Sequence, residues 1–165
     1  MLASFSGERV RPTPDRVKES LFQIVSTRLI GARVLDLFCG SGALGLESLS
    51  RGAREVCFND SSEESLALVK KNLALLKEQA SCTRQDFRTC LNNISGKFDL
   101  IFCDPPYAEE FLAEILKIVQ ARKLLSENGL VVYESEREEG VIDGWETVDI
   151  RRYGRTKIFM FGEKQ

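Results

Sequence analysis

The stretch from Arg33 to Ser50 limits the possible folds more than any other part of the chain. Residues 33–38 read Arg-Val-Leu-Asp-Leu-Phe, a composition typical of a strand buried on both faces of a parallel sheet. Residues 39–42, Cys-Gly-Ser-Gly, break that strand, and residues 43–50 have the composition of a helix. A buried strand that passes through a glycine loop directly into a helix is typical of α/β proteins.

The rest of the chain repeats this alternation of strands and helices. Further strands are predicted at 55–60, around 82–85, at 98–103 and at 129–134, and residues 146–150 and 156–161 bracket Gly154 as a terminal antiparallel hairpin. Thr13 and Pro14 predict the start of the first helix, and Ser61 to Glu64 predict a capping box that opens a later one. We therefore expect one three-layer, Rossmann-like α/β domain over residues 1–165, with a mostly parallel seven-stranded sheet. A basic segment and helix occupy residues 1–30 and the core occupies residues 33–165.

The composition excludes several kinds of chemistry. The 165 residues include no histidine, which removes Ser-His-Asp and Cys-His catalysis. The five cysteines form no C-x-x-C pair, so no metal site is expected. No apolar run approaches the roughly 20 residues of a membrane span, and the first residues lack the pattern of a secretory signal. A cytoplasmic monomer without membrane contact is expected.

Positive charge is concentrated at the two ends of the chain. Residues 1–33 carry six basic and three acidic side chains, and residues 151–165 carry five basic side chains and one acidic. An acidic body with two basic ends suits a nucleic-acid surface, provided that the ends meet in space. Solvated charge on exposed elements is the equally simple alternative.

Glycines 40, 42 and 45 fit the pattern G-x-G-x-x-G, directly after a strand and at the start of a helix. The acidic residue expected about 20 positions later is Asp60, so the pattern indicates a nucleoside cofactor. Asp36, inside the first strand, is suited to organise the loop and receive a cationic amino-acid group. Asp86, at the end of the third strand, is suited to accept a hydrogen bond from an adenine amine. Both residues favour S-adenosylmethionine over NAD, and 165 residues leave no room for the second domain that a nicotinamide enzyme usually needs.

A second motif, Asp104-Pro105-Pro106-Tyr107, follows the predicted strand at 98–103. The two prolines end the strand and keep the residues before them extended. A stiff turn between a carboxylate and an aromatic ring is suited to hold a planar group. The same tetrapeptide also fits a proline-capped strand end with a surface tyrosine.

These motifs together resemble a known family. The run Asp36 to Gly42, with Asp104 to Tyr107, resembles the class I S-adenosylmethionine-dependent methyltransferases that act on exocyclic amines. Residues 11–22 and 34–53 look more narrowly like the RsmD family, bacterial enzymes that methylate N2 of a guanine in 16S rRNA. The resemblance covers nearly the whole chain and implies the class I methyltransferase fold, S-adenosylmethionine as cofactor and S-adenosylhomocysteine as product. It implies 16S rRNA or the small ribosomal subunit as partner.

The resemblance also implies roles for individual residues. In this family, the sites for the methionine part, the ribose, the adenine and the target guanine fall on separate strand ends. These are Asp36, Phe38, Gly40 and Gly42 for methionine, Asp60 for ribose, Asp86 for adenine, and Asp104, Pro105, Pro106 and Tyr107 for guanine. For RNA contact we expect the basic ends of the chain, with Arg11, Arg16, Arg152 and Arg155.

Three other functions remain open on the sequence alone. An adenine-N6 methyltransferase acting on RNA or DNA would use the same Asp-Pro-Pro-Tyr tetrapeptide, although no separate target-recognition domain for DNA is evident. A cofactor-binding protein that interacts with RNA without turnover would carry the same glycine loop. NAD-dependent reduction is the most distant alternative.

Overall fold

The structure, a computed structural model, describes residues 15–106 and 110–165. Its strands are β1 Arg33–Asp36, β2 Glu55–Asp60, β3 Ser81–Arg84, β4 Phe98–Cys103, β5 Leu125–Ser135, β6 Trp145–Tyr153 and β7 Thr156–Glu163. They form one sheet in the order β3-β2-β1-β4-β5-β7-β6. The strands β1 to β5 are parallel, whereas β7 pairs antiparallel with both β5 and β6. The predicted mostly parallel sheet with a C-terminal antiparallel hairpin is confirmed.

Helices cover both faces of this sheet, which gives the three predicted layers. They are α1 Asp15–Leu29, α2 Ala43–Ser50, α3 Glu63–Leu76, α4 Phe87–Asn93 and α5 Leu112–Ala121. The helices α1, α2 and α3 pack into the apolar cluster on one face, and α4 and α5 pack into the cluster on the other. Because β1 is covered on both faces, successive residues Val34 and Leu35 are both fully buried, one in each cluster.

The strand order reverses between β1 and β4. The chain leaves β1 towards β2 and β3 on one side, and returns to β4 and β5 on the other. Hydrogen bonding between the two strands continues one residue past the end of β1, where the Leu37 N–H donates to the Phe102 carbonyl at 3.0 Å. The carboxyl ends of β1 and β4 therefore flank the crevice in which open α/β sheets bind ligands.

Some local predictions differ from the structure in their bounds. β5 begins at Leu125, not at 129, because Asn128 adopts a left-handed φ of 63° and the register against β4 shifts between Phe98 and Leu100. Such a bulge lets a strand continue through Asn-Gly, a pair that otherwise predicts a turn. The helix α3 is capped by Ser62, whose hydroxyl accepts from the Ser65 N–H, so the predicted capping box beginning at residue 61 was wrong by one position. The predicted helix start at Thr13 and Pro14 lies outside the described residues.

Candidate active site

Asp36 ends β1 and fixes the helix that follows the glycine loop. Its side chain is 2% exposed, and its Oδ2 accepts a hydrogen bond from the Gly45 N–H at 3.0 Å. The pKa of this carboxyl is raised to about 7, mainly by burial. The hydrogen bond from Gly45 lowers the pKa, and the charge of Asp60 raises it slightly. Asp36 thus connects the end of β1 to the first turn of α2.

The glycine loop brings the backbone of α2 close to β2. Gly40 and Gly42 have left-handed φ angles of 53° and 87°, which favour glycine. Gly45 lies in the helix, but a Cβ there would lie 2.2 Å from Cε1 of Phe58, a fully buried ring. The three glycines therefore leave a strip of backbone without side chains, which is the surface that a nucleoside cofactor needs at this position.

Asp60 ends β2 beside this strip. One carboxylate oxygen accepts from the Gly40 N–H at 2.9 Å, and the other accepts from the Ser62 N–H at 2.9 Å. Each carboxylate oxygen has two acceptor sites, so these bonds leave capacity for hydroxyl donors. The structure thus places Asp60, which is 20 residues after Gly40, next to the glycine loop.

Asn59 holds three strand ends together, a role that the sequence did not indicate. Its side chain is 1% exposed and donates to the carbonyls of Leu37 at 3.2 Å and Gln85 at 3.0 Å. It also accepts from the Thr83 hydroxyl at 2.7 Å. A buried amide with all these bonds fixes the ends of β1, β2 and β3 relative to one another.

Asp86 lies at the N-terminus of α4. Its side chain caps that helix by accepting from the Arg88 N–H at 2.9 Å. Next to it, Phe87 packs against two other rings, with centroid distances of 5.4 Å to Phe38 and 4.6 Å to Phe111. The Phe38 ring is therefore part of an aromatic cluster that connects the β1 loop with α4 and the segment leading into α5.

Asp104 and Pro105 follow β4 and are half-buried, whereas Pro106 is exposed. Tyr107 lies outside the described residues. A cavity opens beside Asp104, between α1, the start of α2 and the strands β4, β5 and β7. Its lining residues are Leu21, Leu44, Phe102, Cys103, Asp104, Val132, Glu134 and Ile158. The sequence did not indicate Glu134, because the register of β5 against β4 is not visible from residue types alone.

Within the described residues, α1 of the basic N-terminal segment contacts the basic C-terminal hairpin. The Ser20 hydroxyl on α1 is hydrogen-bonded to the hydroxyl of Tyr153, the last residue of β6. Arg16 on α1 and Arg155 in the turn after β6 are both exposed. Arg152 is exposed as well, and its guanidinium lies 3.1 Å from the carboxylate of Glu138. The remaining predicted RNA contact, Arg11, lies outside the described residues.

Two findings concern metals and membranes. Within residues 15–106 and 110–165, no group of three or more cysteine, aspartate or glutamate side chains is arranged to hold a metal ion. Over the same part of the chain, none of the helices is both long enough and apolar enough to cross a bilayer.

The strand order, the switch point and the acidic residues at successive strand ends define the class I methyltransferase fold. The candidate methyltransferase yhhF of Escherichia coli has the same fold, with a TM-score of 0.86 and 31% identity over 94% of this chain and 88% of that one.

Sequence comparisons give the family. The model of the family described as "Conserved hypothetical protein 95" matches residues 1–162. The ribosomal RNA small subunit methyltransferase D of Haemophilus influenzae is 34% identical over 86% of this chain and 76% of its own length. YlbH of Bacillus subtilis, a candidate rRNA methyltransferase, is 39% identical over 83% of this chain and 77% of its own length. The chain belongs to this family, the RsmD family.

Proposed function

We propose that this protein transfers a methyl group from S-adenosylmethionine to the exocyclic N2 amine of a guanine in 16S rRNA. Membership of the RsmD family supports the reaction and the substrate. The observation that carries the proposal is the position of Asp104, at the end of the strand next to Asp36 and the glycine loop. A group held at Asp104 would lie one strand away from a cofactor held at the loop.

The residues around the glycine loop fit S-adenosylmethionine. Asp36, Phe38, Gly40 and Gly42 would hold its methionine part, because a buried carboxylate suits the cationic amine and the glycines admit close backbone approach. Asp60 would accept from the ribose hydroxyls, and Asp86 from the adenine amine. When bound, the cofactor supplies a methyl group on a positively charged sulfur.

The strand end at Asp104 would position the target amine. The lone pair of the guanine amine is delocalised into the ring, so the amine is a poor nucleophile unless its hydrogens are directed. The Asp104 carboxylate and the Pro105 carbonyl would accept those hydrogens, while Pro106 keeps the turn stiff. Tyr107 would stack on the base, which is worth on the order of 1–3 kcal/mol.

Alignment would supply much of the rate acceleration. Asp104 and Pro105 would direct the lone pair of the amine nitrogen towards the methyl group that the cofactor would supply. The methylated nitrogen then releases one proton to solvent, so no histidine is needed. The base must leave its helix or be unpaired to reach this position.

The surface where α1 meets the C-terminal hairpin would contact the RNA. Arg16, Arg152 and Arg155 lie on the two elements joined by the hydrogen bond between Ser20 and Tyr153. Arg11 precedes α1 in sequence and would extend the same surface. Phosphate neutralisation by these side chains makes binding weaken steeply as salt rises. The proposal places the protein in the cytoplasm, acting as a monomer on the small ribosomal subunit.

A methyl-transfer assay tests the proposal. The protein is incubated with labelled S-adenosylmethionine and small ribosomal subunits that lack this modification, and the labelled nucleoside is identified. We expect N2-methylguanosine in 16S rRNA, and a loss of at least about 100-fold in kcat/KM for Asp104→Ala. Asp143→Ala, which removes an exposed carboxylate from the loop before β6, is the matched control and should keep the parent rate. Absence of label from every RNA would refute the proposal.

A further inference from the structure

The register of the sheet places a second carboxylate beside Asp104. Cys103, the last residue of β4, is paired with Tyr133 in the parallel neighbour β5, so Asp104 and Glu134 each follow at the next position. Side chains alternate along a strand, and those two positions earlier, Phe102 and Val132, both lie in the apolar cluster beneath α1. Glu134 therefore emerges on the same face of the sheet as Asp104.

A small, mainly apolar cavity lies between these strands. Both residues are half-buried and border it, together with Phe102 and Val132. Glu134 is held in place because its backbone pairs with Ile158 of β7, which also lines the cavity. Two carboxylates at the ends of adjacent strands suit a flat molecule that presents adjacent N–H donors.

We propose that Glu134 accepts a hydrogen bond from N1–H of the target guanine and thereby selects guanine at this site. This inference rests on the proposed function and assigns its base specificity. Guanine carries the N1–H donor directly beside the N2 amine, so a base with its amine at Asp104 and its N1 edge towards β5 presents N1–H to Glu134. A carboxylate, which has acceptors only, matches that donor.

The same carboxylate disfavours adenine. When an adenine places its N6 amine at Asp104, the adjacent ring nitrogen is N1, which carries a lone pair and no proton. Two acceptors would then face each other at a half-buried strand end, and neither would gain a bond. Glu134 thus explains how this protein selects guanine over adenine, although methyltransferases that act on either base share the Asp-Pro-Pro-Tyr motif.

An assay with a modified base tests this role. Mass mapping of 16S rRNA first locates the methylated guanine. Small subunits are then reconstituted with either guanine or 2-aminopurine at that position. 2-Aminopurine keeps the N2 amine but has a lone pair at N1. Parent, Glu134→Ala and Glu134→Gln proteins are compared on both substrates. Glu127→Gln, which alters an exposed glutamate at the opposite end of the same strand, is the matched control.

The parent protein and Glu127→Gln should prefer guanine over 2-aminopurine by about 10- to 100-fold in kcat/KM. Glu134→Ala should lose most of that preference, mainly through slower guanine methylation. Glu134→Gln should also reduce the preference for guanine, but through faster methylation of 2-aminopurine, because a side-chain amide can donate to N1 of that base. This second variant changes no volume, so it carries the test even if the alanine variant folds poorly.

The outcomes separate the two proposals. If the parent methylates guanine and both Glu134 variants keep its preference within about twofold, the role of Glu134 is wrong and the proposed function stands. If the parent labels no RNA, the proposed function fails, and the role of Glu134 fails with it.

Discussion

Replacing Asp36 by asparagine should make the protein more stable at neutral pH while weakening cofactor binding. The carboxyl of Asp36 is 2% exposed, and its pKa is raised to about 7 mainly by burial. Asparagine has nearly the same shape, and its oxygen can still accept from the Gly45 N–H. The substitution therefore removes the cost of a buried charge and keeps the hydrogen bond.

The sign and size of the effect follow from the pKa. Because the folded pKa lies above the ordinary value of 3.8, the folded state binds a proton that the unfolded state has released. The stability contributed by this carboxyl is complete below about pH 4 and is lost as pH rises towards 7. The full loss is on the order of 4 kcal/mol, and about 2 to 3 kcal/mol of it falls between pH 5 and pH 8.

Urea denaturation of parent and Asp36→Asn at several pH values measures this directly. The free energy of unfolding of the variant, relative to the parent, should rise by about 2 to 3 kcal/mol between pH 5 and pH 8. A difference that stays constant over this range would refute the reasoning. Calorimetry should also show weaker S-adenosylmethionine binding by the variant, because the cofactor's cationic amine loses its charged partner.

Three further substitutions or probes test other parts of the structure. Gly45→Ala should lower the free energy of unfolding by about 1 to 3 kcal/mol in urea titrations, because the new Cβ would clash with the buried Phe58 ring even though alanine favours helices. Gly140→Ala, which adds a Cβ in open space, is the control. A Gly45→Ala protein more stable than the parent would contradict the packing. Asn59→Leu should lower the free energy of unfolding by about 3 kcal/mol or more in the same titrations, because the Leu37 and Gln85 carbonyls lose their donor. An unchanged free energy of unfolding would show that the strand ends do not depend on Asn59. Burial raises the pKa of the Cys90 thiol to about 11, so a thiol reagent at pH 8 should label it only after unfolding. Rapid labelling of the native protein would contradict its position on the buried face of α4.

Much of the fold could be predicted because it follows from local composition. β1 and β4 are covered on both faces, so successive residues such as Val34 and Leu35, or Leu100 to Cys103, are apolar, which identifies buried parallel strands. The glycine spacing before α2 and the placement of Asp60 are likewise sequence-local, because a close backbone approach and a left-handed φ both require glycine.

The remaining features depend on register and on contacts between distant segments. Glu134 reaches the cavity only because β5 pairs with β4 in one particular register, which a residue pattern does not determine. Asn59 gains its role from carbonyls 22 and 26 residues away in the chain. The grouping of Phe38, Phe87 and Phe111 depends in the same way on how the loops after β1 and β4 meet α4.

The most direct test of the central proposal is mass mapping of 16S rRNA from cells that carry the parent protein, the Asp104→Ala variant or neither. We expect one N2-methylguanosine that is present with the parent protein and absent in the other two. An N6-methyladenosine that follows the parent protein instead, or rRNA that is identical in all three, would contradict the proposal.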